Sequence, residues 1–137
     1  MKKLMIIAML AFVANVAFGQ NAPAKDEVAV IQWEASVHDF GKIKQGVPVT
    51  YEFTFANKGK VPVIITDARP SCGCTTPSWT REPVENGGTG HVKATFNAQN
   101  PGPFDKTITV IANVEGGMIQ LHIKGEVEGT TTPVRPN

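Results

Sequence analysis

Cysteine is nearly missing from this chain, and what there is stands in one place. Cys72 and Cys74, one residue apart, are the only 2 cysteines among 137 residues. That scarcity excludes a scaffold stapled by several disulfides, and two sulfur ligands are too few for a closed structural zinc site. A surplus of charge is missing as well. The formal net charge is +1 and the basic residues are scattered, so electrostatics make no case for nucleic acid or an anionic membrane surface. Enzyme signatures are equally scarce. There is no G-x-S-x-G elbow, no phosphate-cradling glycine loop and no H-E-x-x-H. Acidic residues such as Asp67 are dispersed, not paired by spacing, and Ser71 has no evident base beside it. The chain reads as a non-enzyme.

Long apolar runs are absent except at the start. Lys2 and Lys3 precede an almost unbroken apolar stretch from Leu4 to Phe18, and Ala17-Phe18-Gly19 supplies small residues at the positions a signal peptidase reads. The run is shorter than the ~20 residues of a spanning helix. Residues 1–19 are therefore expected to be a signal peptide, with Gln20 opening the exported product and no membrane span left after processing. No cysteine follows the cut, which disfavours a lipid anchor. The expected destination is the periplasm or the extracellular space.

What is present is alternation. Residues 20–27 read as a flexible lead-in. Val28 to Glu34 reads as a first short strand anchored by Trp33, and Val37 to Ile43 as an extended piece that turns at Gly41. From Val47, apolar Val49, Tyr51, Phe53 and Phe55 alternate with polar neighbours, the period of a strand with one buried face. Asn57 to Lys60 reads as a turn in which Gly59 supplies a positive φ. Val61 to Thr66, apolar on both sides, suggests a central strand. Pro77 confines Thr75 to Thr80 to an edge. Val92, Ala94 and Phe96, then Ile108, Val110 and Ala112, then Ile119, Leu121, Ile123 and Val127 continue the same period, separated by glycine- and proline-rich turns. About seven short strands of this kind predict an all-β, immunoglobulin-like antiparallel sandwich over 28–127, with a small barrel as the alternative. Phe53, Phe55, Phe96, Val110, Leu121 and Ile123 are expected to point inward. Residues 128–137, rich in threonine and proline, read as a disordered tail.

The stretch Arg69-Pro70-Ser71-Cys72-Gly73-Cys74-Thr75-Thr76-Pro77 carries the one distinctive chemistry. In an extended chain, residues two apart have Cα atoms about 6.6 Å from each other, near the upper limit for a disulfide. Cys72 and Cys74 can join only if the backbone tightens at Gly73, and a positive φ there would make Gly73→Ala harmful. A ring so short removes little entropy from the unfolded chain. Three readings stay open: a rigid oxidised turn, a thiol pair poised for exchange, and a soft-metal site. His38, His91 and His122 are the candidate extra ligands. None has ligand spacing to the cysteines, so no metal or other cofactor is expected.

The residues also resemble a known family. Ser71-Cys72-Gly73-Cys74-Thr75-Thr76-Pro77, Trp79, Phe96-Asn97 and Gly102 to Val110 are similar to the uncharacterised family called domain of unknown function 1573. Phe40-Gly41-Lys42-Ile43 and Ile123-Lys124-Gly125-Glu126-Val127 fit it too, so the likeness spans about Ile31 to Val127. Glu85-Asn86-Gly87-Gly88 departs from it where a proline-glycine-acid turn is expected. The resemblance implies an exported protein of Bacteroidetes-type bacteria, with a sandwich related to major-sperm-protein and cilia-associated domains. It implies no activity. Taken together, the expected function is an exported binding or scaffolding module whose partner is another protein or a cell-envelope component. The alternative is a redox or soft-metal protein acting through Cys72 and Cys74.

Overall fold

A computed structural model describes residues 28–130. The expected signal peptide, the lead-in and residues 131–137 of the expected tail lie outside the described residues. Eight strands follow one another: β1 (Ile31–Trp33), β2 (Val37–Lys44), β3 (Val49–Asn57), β4 (Ile65–Pro70), β5 (Thr75–Trp79), β6 (Thr89–Phe96), β7 (Gly102–Ala112) and β8 (Met118–Glu128). They form two four-stranded sheets, in the orders β1-β3-β6-β5 and β2-β8-β7-β4. Glu128, expected to open the tail, is the last residue of β8.

Alternation explains the packing. The inward faces of β3 and β6 contribute Phe53, Phe55, Val92, Ala94 and Phe96, and those of β7 and β8 contribute Ile108, Val110, Leu121 and Ile123. All six side chains expected inward are buried. Each buried side chain of this size contributes about 1.5–3 kcal/mol of hydrophobic stabilisation. Trp33 is half-buried and packs on the core, with its ring centroid 4.9 Å from that of Phe55. The outer faces are polar ladders. Thr50 and Thr95 share a hydroxyl hydrogen bond of 2.8 Å, and Lys93 pairs with Glu52 at 3.2 Å.

Four local expectations are corrected. The sandwich is not wholly antiparallel, because β2 pairs with β8 in parallel. After β1 has bonded to β3, the chain crosses to the opposite sheet and meets β8 running the same way. Gly41, at φ 65°, lies within the register shift of β2 that follows, in a conformation that suits glycine. Val61 to Thr66 is not a central strand. Val63 makes an isolated bridge to Val84, and the strand proper starts at Ile65 and lies at a sheet edge. Its second apolar side is partly wet, with Ile64 41% exposed. Gly59 has no positive φ; a side chain there would press on Val30 instead. Val47 precedes β3 and is exposed.

Hydrogen-bond direction decides what the sheet edges offer. Asn97 N–H donates to the Cys74 carbonyl and Thr80 N–H to the His91 carbonyl, so even-numbered residues of β5 face β6. Thr75, Pro77 and Trp79 face outward, and proline has no N–H to give. In β4, Ser71 N–H donates to the Thr107 carbonyl, which turns Pro70 and Ala68 outward. Pro70 again has no N–H, and Ala68 N–H is taken by the Asp67 carboxylate at 2.9 Å. Both edges on this flank are blunted against strand pairing. The opposite flank differs. β1 pairs with only Phe55, Ala56 and Asn57 of β3. Glu34 N–H reaches the Thr54 carbonyl, so even-numbered residues of β3 face that side. Beyond it, the backbone groups of Thr50 and Glu52 face a flank with no strand among the described residues.

Candidate functional site

The two cysteines sit in the short crossing from β4 to β5, where the chain leaves one sheet for the other. Their Cα atoms are 5.3 Å apart and the sulfurs are at disulfide distance. The tightening asked of the backbone is therefore present. It does not use a left-handed Gly73, whose φ is not positive, and nothing lies within 4 Å of where a Gly73 Cβ would stand.

Other bonds hold the turn as well. On the β4 side, Ser71 N–H donates to the Thr107 carbonyl at 2.8 Å, and Thr107 N–H donates back to Ser71 Oγ at 3.1 Å. On the β5 side, Asn97 N–H donates to the Cys74 carbonyl at 3.0 Å. Ser71, read from sequence as a serine without a base, is a clamp between β4 and β7. Asp67 and Arg69 extend that edge: the guanidinium, 2.7 Å from the carboxylate, holds the Asp67 carboxyl below its ordinary value.

The sulfurs have different surroundings. Cys72 Sγ lies 3.7 Å from the hydroxyl of Thr75, a buried residue. Cys74 packs against the core and lines a cleft of about 110 Å³ with Phe96, Asn97, Pro103, Phe104 and Lys106. The Phe96 and Phe104 rings stack there, with centroids 4.1 Å apart. Sequence reading missed this cleft because its walls come from two stretches of chain, the β4–β5 crossing and residues 96–106, the latter passing from one sheet to the other. The stacked phenylalanines stand on strands of opposite sheets.

The histidines are elsewhere. His91 meets the Thr80 hydroxyl, and His122 meets the Thr107 hydroxyl and the Asp105 carboxylate. His38 stacks on Tyr51. Among the described residues, no group of three or more His, Cys, Asp or Glu side chains could hold a metal ion. A pair joined at this distance presents no thiolate ligand.

Two four-stranded sheets packed as a sandwich make an immunoglobulin-like fold, and solved structures agree. A protein of unknown function from Porphyromonas gingivalis W83 matches with TM-score 0.66 and 17% identity, over 78% of this chain and 51% of that one. The VesB protease of Vibrio cholerae matches with TM-score 0.59 and 18% identity, over 71% and 32%. The PapD-like domain 7 of human CEP192 matches with TM-score 0.59 and 12% identity, over 93% and 99%. The chain thus spans about half of the first protein and a third of the second. At these identities the likeness is one of fold. No curated protein matches the chain. The family itself is shown: the chain belongs to the family described as protein of unknown function (DUF1573), whose model matches residues 31–127.

Proposed function

We propose that this protein is an exported, non-enzymatic binding or scaffolding module that recognises another protein of the cell envelope. Its periplasmic or extracellular location rests on the signal-like residues 1–19, and the cysteine pair at disulfide distance is compatible with an oxidising compartment. The observation that carries the binding role is the asymmetry of the sheet edges. One flank is closed by Pro70, Pro77 and the Asp67–Ala68 hydrogen bond. Among the described residues, the other leaves Val49 to Phe53 of β3 beside no strand. An extended segment of a second protein would add there by main-chain hydrogen bonds to Thr50 and Glu52. Fold likeness supplies no partner, since such sandwiches serve unrelated ends.

Site-specific photo-cross-linking in a producing cell tests this. A photoreactive residue at Glu52 is expected to give a discrete protein adduct, and one at Ser78 on the blunted edge is not. Thr50→Pro should abolish the adduct. Equal labelling from both positions, or none from Glu52, overturns the proposal. Intact-mass analysis of the exported protein checks the export arm. A retained Met1 contradicts it.

A further inference from the structure

We infer that Cys72 and Cys74 form a thiol–disulfide exchange site that covalently captures a cysteine-bearing peptide or protein. Cys74 is the sulfur attacked and Cys72 the leaving thiolate. This goes beyond the binding role and does not depend on the β3 edge.

Four observations converge on it. First, the bond is dispensable to the turn, because Ser71–Thr107 and Asn97–Cys74 hydrogen bonds pin both ends without it. A ring with sequence separation 2 also removes little entropy from the unfolded chain. Second, approach is open. Both cysteines are half-buried, not sealed, and the space at the Gly73 Cβ position is empty. Third, only Cys74 lines the cleft whose walls combine apolar Phe96, Pro103 and Phe104 with polar Asn97 and Asn100, a mixed seat for residues flanking an incoming cysteine. Lys106 on the same cleft supplies a cation that favours a thiolate. Fourth, the Thr75 hydroxyl, 3.7 Å from Cys72 Sγ, is placed to donate to the thiolate that leaves. A stabilised leaving sulfur departs faster.

The step balances as follows. A partner thiolate attacks Cys74 Sγ, a new S–S bond forms, and the Cys72–Cys74 bond breaks with its electron pair passing to Cys72 Sγ. The product is a mixed disulfide on Cys74 and a free Cys72 thiolate. Capture is undone when Cys72 attacks back and releases the partner's thiol.

The test uses the oxidised full chain and glutathione. With reduced glutathione followed by rapid alkylation and peptide mass mapping, the first adduct should appear on Cys74. Cys72→Ser, treated with oxidised glutathione, should trap a stable adduct on Cys74. It should form several-fold faster than the adduct on Cys72 in Cys74→Ser. Thr75→Val should slow reduction of the otherwise unchanged pair several-fold, with circular dichroism confirming the fold. First adducts on Cys72, equal rates in both variants, or a pair that stays oxidised in millimolar glutathione overturns the assignment. The wild-type adduct order stands even if a cysteine variant fails to fold.

Discussion

The imidazole of His38 lies flat on the ring of Tyr51, with centroids 3.6 Å apart and planes 7° from parallel. Phe40 meets the same imidazole edge-on at 4.6 Å, and Phe53 meets Tyr51 edge-on at 4.8 Å. His38 belongs to β2 and Tyr51 to β3, so the stack joins the two sheets through side chains.

That stack should be measurable. In a double-mutant cycle, His38→Ala and Tyr51→Ala should show a coupling of about 0.5–1.5 kcal/mol, the range for stacked aromatic pairs. Urea denaturation of the four proteins provides the values. A coupling near zero would mean that the rings lie together without holding the sheets.

Asn57 should be among the most sensitive polar positions. It is fully buried; its amide donates to the Val61 and Val84 carbonyls at 2.9 and 2.8 Å, and its side-chain oxygen accepts from Gly59 N–H at 2.9 Å. Asn57→Ala leaves these groups unpaired in a closed space and should cost about 3 kcal/mol, from 1–3 kcal/mol per buried unsatisfied group. Asn57→Asp should be no milder, because it removes both donors and adds a buried charge. Thermal and urea midpoints check both.

The C-G-C turn should be tolerant. Cys72→Ser combined with Cys74→Ser should lower stability by less than about 2 kcal/mol, the chain-entropy value for so small a ring. Gly73→Ala should change it by no more than about 0.5 kcal/mol, since the position has neither a positive φ nor a crowding neighbour. Unfolding of the double variant at room temperature would show that the bond itself holds the crossing.

The Asp67–Arg69 pair predicts a pH effect of definite sign. Hydrogen bonding to Arg69 lowers the Asp67 pKa from its ordinary value of 3.8. The pair's contribution is therefore present above the unfolded-state value and lost as the pH falls through the lower folded-state value. A carboxyl NMR titration should place the Asp67 midpoint below 3.8, and Arg69→Met should raise it. The group is exposed, so the gain in stability is small.

Much of the fold was legible because a half-buried strand writes its burial directly as period two. Phe53, Phe55, Val92 and Phe96 show this without help from the structure. Pairing partners were less legible. Nothing in Val37 to Lys44 signals a parallel neighbour, because that depends on where β8 ends up after five further strands. Val61 to Thr66 misled because apolar residues on both sides say little about how many neighbours a segment has. Asn57 looked like an ordinary turn residue, since its three side-chain bonds reach positions 59, 61 and 84. At the candidate site, cysteine spacing left three readings open, because the pair can join only if the backbone tightens; the cleft beside Cys74 needed Phe96 and Phe104 brought together from separate strands.

Pro70 and Pro77, described above as edge blocks, also bear on stoichiometry. A linear polymer of sheets needs two receptive flanks per molecule, one to accept and one to offer. Blocking one flank leaves a molecule that can end an assembly but cannot extend it. Two copies meeting through their open β3 edges would form a closed, two-fold pair, and growth would stop there. If the β3 edge serves recognition as proposed above, this asymmetry keeps it from running into fibres at high local concentration.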